Sequence, residues 1–336
     1  MRLLFFCRGS VQEGLGHLTR TRNVARLIAP KASVRIAAVG DSIAEKILAD
    51  CECEYRVFSN DAEAFRWGFD LPPDAVVFDA LTLSRDCFQL ARRSPLIVSL
   101  SPIFEHLPDV DIVYHRTAIR DPGWSSINTS PMIKCGLRYA VIGDHCKRIY
   151  SSAYRKALQS NTLSIAVSMG GADASNRTLT AVRKIRDFEQ KLRVWIILGE
   201  GYSHSYQDLV DSVRGSKHEI ILAKTNDSMW RILSDCALIL LAGGVSTFEA
   251  AFVGLPSINI LEDENRYFLI QELVEAKACL YAGTLSSSAF SNVFCILEKA
   301  YEDRKWLFEM HLQGTKLIDG KGAKRIASDI LRCSSK

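Results

Sequence analysis

Short, continuous apolar runs alternate with amphipathic stretches along most of the chain. In the first half the apolar runs are RLLFF, SVRIAAV, AVVFDA, PLIVSLS and DIVYHR, and RTRNVARLIA, SIAEKILAD and SRDCFQLARR lie between several of them. Continuous apolar strands are typical of a parallel sheet that is buried on both faces, and the amphipathic stretches predict the helices that cover it. Because crossovers in such a sheet are right-handed, the pattern predicts a doubly wound α/β fold.

The same pattern starts again after the polar segment GDHCKRIYSSAYRKALQSN. The second set of strands is LSIAVSMGG, RVWIILGE, EIILAKT, CALILLAGG and PSINILE, with helices predicted through TLTAVRKIRDFEQ and TFEAAFVG. The tail from Ser286 to Cys333 also has a helical pattern. We therefore expect two domains, residues 1–150 and 151–336, of which the second includes the C-terminal helices.

Composition and charge narrow the class of protein only slightly. The 336 residues are 48% hydrophobic and 24% charged, with a net charge of +4, which is far from the clustered charge of a nucleic-acid-binding protein. The ten cysteines form no CxxC pair and no Cys/His cluster with zinc spacing, so we expect buried free thiols, no metal and no cofactor. No signal peptide or spanning segment is visible. We expect a cytoplasmic protein with at most peripheral membrane association.

Three glycine-rich loops follow predicted strands, where open α/β sheets bind their ligands. They are GSVQEGLGH, SMGGAD and AGGVSTFEA. Glycine lets the backbone approach an anion, the helix after the loop offers unpaired N–H groups, and Ser246 and Thr247 would add hydroxyl donors. The loops therefore predict a phosphate or diphosphate ligand, although glycines also simply form turns in such loops. None has the spacing of a P-loop or of a dinucleotide-binding turn.

Two polar residues near the third loop are candidates for contacts with the rest of such a ligand. Glu249 lies one turn into the following helix, where a carboxylate suits the two hydroxyls of a ribose, or simply supports the helix N-terminus. Asn265 follows the strand SINIL and suits a sugar hydroxyl, unless the acidic run before it only caps a helix.

His17 ends the first glycine-rich loop and begins an amphipathic stretch. The field of a helix N-terminus favours a neutral imidazole, which can act as a general base or donate a hydrogen bond to an anion. A packed or capping histidine is the alternative. Arg20, Arg22 and Arg26 follow on the polar side of the same helix, and we interpret them as a solvent-exposed face.

Several short motifs occur together in a familiar order. They are G-x-G-H-x-x-R after the first strand, C-G-x-x-Y-A at the domain junction, M-G-G-A-D after the first strand of the second half, and a Gly/Ser loop with Glu followed by G-L-P. Over residues 1–282 the chain resembles the UDP-sugar hydrolase of the pseudaminic acid pathway and its relatives in spore-coat polysaccharide synthesis. More widely it is similar to GT-B glycosyltransferases, including the N-acetylglucosaminyltransferase that makes lipid II.

The resemblance implies a fold, a reaction and roles for particular residues. The fold would be GT-B, two Rossmann-like domains with a cleft between them, the first facing the sugar or acceptor and the second binding the nucleotide. The reaction would be inverting glycosyl transfer at C1 of a UDP-sugar with release of UDP, and His17 would be its catalytic residue. Nucleotide and diphosphate contacts would come from Gly170, Gly171, Asp173, Gly244, Val245, Ser246, Thr247 and Glu249, and sugar contacts from Gly14, Gly16 and Asn265.

The chain departs from the hydrolase pattern at two places in the first half. Leu81 stands where the hydrolases carry a tyrosine, and Ser101 and Pro102 stand where they often carry two aspartates. An isobutyl group cannot hold a water molecule by hydrogen bonding, so the nucleophile is left open between water and the hydroxyl of a lipid-linked or saccharide acceptor. A nucleotide-sugar 2-epimerase and a non-catalytic nucleotide-sugar-binding protein are further alternatives on the same fold.

Overall fold

Two parallel sheets organise the chain, each at the centre of its own unit. The structure, a computed structural model, describes residues 1–119, 132–224 and 229–334. Unit 1 consists of Met1–Gly143 and Gly320–Lys336, and unit 2 of Asp144–Asp319. None of the described helices is both long enough and apolar enough to cross a membrane.

Unit 1 contains a seven-stranded parallel sheet with the order β3-β2-β1-β4-β5-β6-β7. Its strands are β1 (Arg2–Gly9), β2 (Ser33–Gly40), β3 (Glu54–Phe58), β4 (Ala75–Asp79), β5 (Leu96–Ser99), β6 (Ile112–His115) and β7 (Met132–Cys135). Its helices are α1 (Gly16–Ile28), α2 (Ser42–Leu48), α3 (Asp61–Gly68), α4 (Arg85–Ala91) and, from the end of the chain, α13 (Gly322–Cys333).

The first strand shows why the apolar runs are continuous. Alternate residues point to opposite faces of a strand, and β1 buries both sets. Leu3 and Phe5 pack into the layer formed with α1 and α13, whereas Leu4 and Phe6 pack into the aromatic layer formed with α3 and α4. A sheet covered on both faces needs apolar side chains at every position, as the sequence predicted.

Unit 2 repeats this arrangement with a six-stranded parallel sheet of order β10-β9-β8-β11-β12-β13. Its strands are β8 (Leu163–Ser168), β9 (Leu192–Leu198), β10 (Glu219–Lys224), β11 (Leu238–Leu241), β12 (Ser257–Leu261) and β13 (Cys279–Thr284). Its helices are α5 (Ser151–Leu158), α6 (Arg177–Ile185), α7 (Tyr206–Val213), α8 (Met229–Ile232), α9 (Val245–Val253), α10 (Phe268–Glu275), α11 (Ser287–Glu302) and α12 (Lys305–Leu317).

The doubly wound fold is confirmed in both units, but three of the strands had not been predicted. β3 and β7 form the two edges of the first sheet, and β13 forms one edge of the second. An edge strand is covered less completely than a central one, so its apolar run can be weaker, although the fourth edge strand, β10, was predicted from its sequence. β3, for example, alternates between exposed and half-buried residues.

The last helix corrects the predicted domain division. Residues 320–336 were assigned to the second domain, whereas α13 belongs to unit 1. It buries Ala323, Ile326, Ala327 and Ile330 in the layer that also contains α1. Gly322 lies so close to the backbone of unit 1 that a Cβ there would be 2.1 Å from the carbonyl oxygen of Ala140. An amphipathic pattern predicts a helix but does not specify the surface against which it packs.

Candidate functional site

Three side chains meet at the carboxyl edge of the first sheet. Asp79 ends β4, which lies beside β1, and His17 and Arg20 lie one turn apart in α1. His17 Nδ1 is 2.5 Å from Asp79 Oδ1. Arg20 donates to the same carboxylate from two nitrogens. Its Nε lies 2.7 Å from Oδ2, and its Nη2 donates to Oδ1. The structure thus brings together residues separated by about sixty positions of chain.

Charge pairing explains how a carboxylate can be buried at this place. Asp79 is fully buried. Burial alone would raise the pKa of the Asp79 carboxyl, but the charges of Arg20 and His17 and their hydrogen bonds outweigh burial and hold the pKa below its usual range. Arg20 is also buried, so the pair is held in low-dielectric surroundings where its geometry is firmly fixed.

The hydrogen bond to Asp79 determines what His17 can do. Since an ionised carboxylate only accepts hydrogen bonds, Nδ1 of a neutral His17 must donate, and the lone pair is then on Nε2. The His17 side chain keeps 19% of its surface exposed, so this nitrogen is accessible from solvent. A partly exposed imidazole oriented by a buried carboxylate can accept a proton from a nucleophile.

The sequence interpretation of α1 was wrong for two of its three arginines. Arg20 and Arg22 are buried, and only Arg26 lies on an exposed face. Arg22 donates from Nη1 to the carbonyl oxygen of Ile47 at 3.2 Å. The sequence analysis had not assigned Asp79 as the partner of His17. The available signals were a charged residue at the end of an otherwise apolar strand and the i, i+3 spacing of His17 and Arg20.

The glycines before His17 shape the loop that ends β1. Gly14 has a φ of +88°, which favours glycine, and its N–H donates to the carbonyl oxygen of Ser10 at 2.9 Å. A Cβ at Gly14 would meet nothing within 4 Å, so the loop leaves open space here. Gly16 is the first residue of α1, directly before His17.

The AGGVSTFEA segment of unit 2 forms the loop before α9 and the first part of that helix. Gly243 has a φ of +78°, and Gly244 is the exposed N-cap residue, with no atom within 4 Å of the position of a Cβ. Val245 and Ser246 are half-buried and open the helix, where N–H groups have no intrahelical acceptor. This end of α9 therefore presents backbone donors and a partial positive charge to an open surface.

Thr247 does not offer its hydroxyl to that surface, in contrast to the prediction. It is fully buried, and its Oγ1 donates to Asn259 Oδ1 at 2.6 Å. Its N–H lies 3.2 Å from the carbonyl oxygen of Gly244. Because position 247 faces the sheet and position 246 does not, only Ser246 can add a side-chain donor to the N-terminus of α9.

Glu249 lies in α9 beside the polar segment that opens unit 2. It is 6% exposed, and its Oε1 is 3.7 Å from Nε2 of His145. Cys146 completes a group whose ligand atoms lie within 4.8 Å of one another. Imidazole, thiolate and carboxylate are the donors that Zn²⁺ prefers, so these residues could hold a metal that the search for zinc spacing did not predict.

The SMGGAD loop of unit 2 divides the predicted nucleotide residues into two kinds. Gly170, with a φ of +106°, and the exposed Gly171 leave the backbone accessible. Asp173 is buried, and its carboxylate accepts hydrogen bonds from the N–H groups of Arg177 and Thr178 at 2.8 and 2.9 Å. Asp173 therefore caps the start of α6, and its contact with a nucleotide stays a prediction.

The remaining candidates lie in loops. Asn265 is exposed in a single 3-10 turn, and its N–H donates to Asp263, so the acidic run does cap this turn while the Asn265 amide faces solvent. In unit 1, Leu81 is 36% exposed two residues after Asp79. Ser101 is buried, and its hydroxyl donates to the carbonyl oxygen of Ile103.

Sequence comparison finds only distant relatives. No family model matches the chain. An uncharacterized protein of Methanocaldococcus jannaschii is 22% identical over 274 residues, which cover 79% of this chain and 56% of that protein. The spore coat polysaccharide biosynthesis protein SpsG of Bacillus subtilis is 21% identical over 188 residues, which cover 54% of this chain and 55% of that protein. The chain thus spans about half the length of these relatives.

Structural comparison finds similarity over nearly the whole chain. MurG of Acinetobacter baumannii superimposes with a TM-score of 0.66 at 13% identity, covering 99% of this chain and 100% of MurG. Anabaena HepE in complex with UDP-glucose gives 0.67 at 13% identity, with the same coverage. UDP-GlcNAc 2-epimerase of Neisseria meningitidis, bound to UDP-GlcNAc, gives 0.65 at 12% identity, again with the same coverage. With its two parallel, doubly wound sheets, this chain has the two-domain GT-B fold.

Proposed function

We propose that the protein is an enzyme that processes a UDP-linked sugar in surface glycan biosynthesis, by inverting transfer at C1 with release of UDP. The observation that carries the proposal is the hydrogen bond from His17 to the buried Asp79, because it leaves the lone pair of His17 on the accessible Nε2. Structural relatives with bound UDP-glucose or UDP-GlcNAc, and the distant likeness to SpsG, support a nucleotide-sugar substrate.

In the proposed reaction, Nε2 of His17 removes the proton of a nucleophile hydroxyl. The nucleophile oxygen forms a bond to C1 of the sugar while the bond from C1 to the diphosphate oxygen breaks, and UDP leaves with that electron pair. The Asp79 carboxylate stabilises the imidazolium that forms. Backbone donors of the Gly244–Ser246 segment stabilise the negative charge that develops on the departing diphosphate.

Contacts of the nucleotide and sugar are assigned to four members of the predicted set in unit 2. Gly170 and Gly171 lie beside the nucleotide, Glu249 binds the ribose with His145 adjacent to it, and Asn265 contacts the sugar. In unit 1, the open space at Gly14 leaves room for the sugar, and Gly16, directly before His17, is assigned to the same contact.

The exposed Leu81 favours an acceptor hydroxyl over water as the natural nucleophile. It lies two residues after Asp79, and the hydroxyls of the nearby Ser84 and Ser101 are engaged with the local backbone. Without a tyrosine hydroxyl at position 81 to help hold a water molecule, the first unit suits a lipid-linked or saccharide acceptor. Glycosyl transfer is therefore the first candidate reaction, and hydrolysis the second.

A panel of nucleotide sugars, incubated with the protein and followed by NMR, tests this proposal. We expect release of UDP with inversion at C1 for at least one UDP-sugar, and a fall in kcat by about two to four orders of magnitude in His17→Ala. Formation of a 2-epimer would identify an epimerase. Absence of turnover with every donor and acceptor, or equal turnover by His17→Ala, would refute the proposed role of His17.

The nucleotide assignment has a separate test in binding. UDP should raise Tm, since a ligand that binds only the folded state stabilises it. Glu249→Ala should reduce this shift. Glu264→Ala, which removes an acidic residue from the exposed turn after β12, serves as the matched control. An equal shift in both variants would remove the ribose assignment.

A further inference from the structure

A strongly basic cavity lies along α13 in unit 1, and its lining includes no residue of the loop that carries His17. Its volume is about 1000 Å³, within the size range of small-molecule sites. It is lined by residues at the start of β1, before β2, along β7 and on α13. Met1 and Lys31 precede strands of the sheet, whereas Arg138 and Tyr139 follow β7, so the cavity extends along α13.

The charge of this cavity exceeds that of the whole protein. α13 and its N-cap residue contribute Lys321, Lys324, Arg325 and Arg332, and other segments contribute Lys31, Lys134 and Arg138. The only acidic side chain in the lining is Asp329. Seven cations and one carboxylate leave an excess of six positive charges, whereas the chain as a whole carries +4. The rest of the protein is therefore net acidic, and the positive charge is concentrated here.

Several of these cations are held in place by neighbours. Asp329 is buried and binds Lys134 Nζ at 2.6 Å and Arg332. Arg325 Nη1 donates to the carbonyl oxygen of Arg138 at 2.9 Å, and the Arg138 guanidinium lies over the Tyr139 ring at 5.4 Å. Positioned cations lose little freedom when an anion binds, so they bind it more tightly than freely rotating side chains do.

Electrostatic repulsion between these neighbouring cations raises the free energy of the folded protein, and a bound anion would reduce this repulsion. The Lys321, Lys324 and Arg325 side chains belong to the first turn of α13, where the helix dipole disfavours cations, and that turn contains no acidic residue. The apolar side of α13 fixes this arrangement, because Ala323, Ile326 and Ala327 are buried against unit 1. The packing of α13 therefore fixes the backbone positions from which these cations extend.

We propose that this cavity binds a polyphosphorylated ligand, whose clustered phosphate groups match the excess of six positive charges. Phosphate oxygens are acidic enough to stay charged at neutral pH and numerous enough to pair with several Lys and Arg side chains at once. Such groups occur both on free metabolites and on lipid headgroups. The inference is independent of the proposed reaction, because none of the residues that line the cavity is assigned a role in that reaction.

Binding of tripolyphosphate, measured by calorimetry at low and high salt, tests the proposal. Lys31 and Lys324 are exposed, so the double variant Lys31→Glu/Lys324→Glu should fold normally, as its melting curve would verify. We expect this variant to bind tripolyphosphate at least about tenfold more weakly than the unmodified protein. The control Lys46→Glu/Lys184→Glu makes the same change in net charge at exposed sites outside the cavity and should bind normally.

A second arm distinguishes the two sources of phosphate. Binding to vesicles of phosphatidylglycerol is compared with binding to vesicles of phosphatidylcholine. The comparison uses the unmodified protein, the cavity variant Lys31→Glu/Lys324→Glu and the control variant. If the protein binds tripolyphosphate and only the cavity variant loses this binding, the ligand is a soluble molecule. If the protein binds only anionic vesicles and the cavity variant loses this binding, the ligand is a lipid headgroup. Absence of both, or equal losses in the cavity and control variants, would overturn the proposal. Stabilisation by UDP should be the same in all three proteins.

Discussion

At the scale of single residues, the Asp79 carboxylate determines the local arrangement in unit 1. It orients His17 through Nδ1 and is itself neutralised by Arg20. The His17 ring could rotate freely without this partner, and Arg20 would remain as a buried cation without a counterion. The catalytic proposal therefore depends on a residue that is not itself expected to contact the substrate.

We predict that Asp79→Asn lowers the free energy of unfolding at neutral pH by about 3 kcal/mol or more, because a buried Arg20 loses its ionic partner. The pKa of Asp79 is lowered in the folded state. Its contribution is therefore complete above the ordinary carboxyl pKa of about 4 and is lost as the pH falls through the folded value.

Denaturant unfolding of the two proteins between pH 7 and pH 3 checks this prediction. The difference in stability should be constant above pH 5 and should narrow below pH 4. Asp74→Asn is the control, since Asp74 is partly exposed at the other edge of the sheet. A difference that stays constant down to pH 3 would contradict the linkage argument.

Leu81 provides a prediction about the nucleophile. We expect Leu81→Tyr to raise hydrolysis of a UDP-sugar in the absence of an acceptor by about tenfold or more, because its hydroxyl can hold a water molecule. Leu81→Phe adds the ring without the hydroxyl and should leave hydrolysis slow. The rate at which free sugar forms, measured by NMR, compares hydrolysis by the two variants. Rapid hydrolysis by the unmodified protein would restore water as the natural nucleophile.

At the scale of elements, the two ends of α9 use glycine for different reasons. Gly244 begins the helix with open space around it, whereas Gly254 ends it with a φ of +86° against α12. A Cβ at Gly254 would lie 2.5 Å from Nδ1 of His311. The first glycine leaves room for a ligand, and the second permits close packing of two helices.

These two roles predict opposite effects of the same substitution. Gly244→Ala should leave Tm unchanged and weaken UDP binding by about tenfold, because the methyl group occupies the approach to the helix N-terminus. Gly254→Ala should destabilise the protein by at least about 1 kcal/mol and leave UDP affinity unchanged. Calorimetry and thermal melts separate the effects. Normal UDP binding by Gly244→Ala would exclude the α9 N-terminus as the diphosphate site.

At the scale of the whole molecule, the chain returns to unit 1 after completing unit 2. The stability of the first unit therefore depends on residues near the C-terminus. Ile326 of α13 is 1% exposed in the core of unit 1, and Leu297 of α11 is fully buried in the core of unit 2. The two residues allow the units to be perturbed one at a time.

We predict that Ile326→Ala, at a cost of about 2–5 kcal/mol, accelerates amide exchange in β1 and α1 and leaves β8 and β11 protected. Leu297→Ala should have the reverse effect. Hydrogen exchange with mass spectrometry measures both. If Ile326→Ala instead accelerated exchange only in unit 2, α13 would belong with the second domain, as first predicted from the sequence.

The sequence by itself determined the doubly wound sheets, the central strands and the position of each glycine-rich loop. Burial of both faces, helical periodicity and turn residues are all local properties of the chain, so they can be recognised without knowledge of distant contacts. The GT-B fold was also recognised correctly from the order of its motifs. Three of the four edge strands were missed because their exposure weakens the local pattern, whereas the fourth, β10, was predicted.

Only the tertiary structure decided which polar groups are partners and which surfaces meet. Asp79 pairs with His17 and Arg20, the Thr247 hydroxyl turns toward Asn259, and α13 packs on unit 1 rather than unit 2. Each outcome depends on groups far apart in the sequence, or on which side of a helix faces the core. Residue types and spacing allow several such pairings, and only the packing of the folded chain selects one of them.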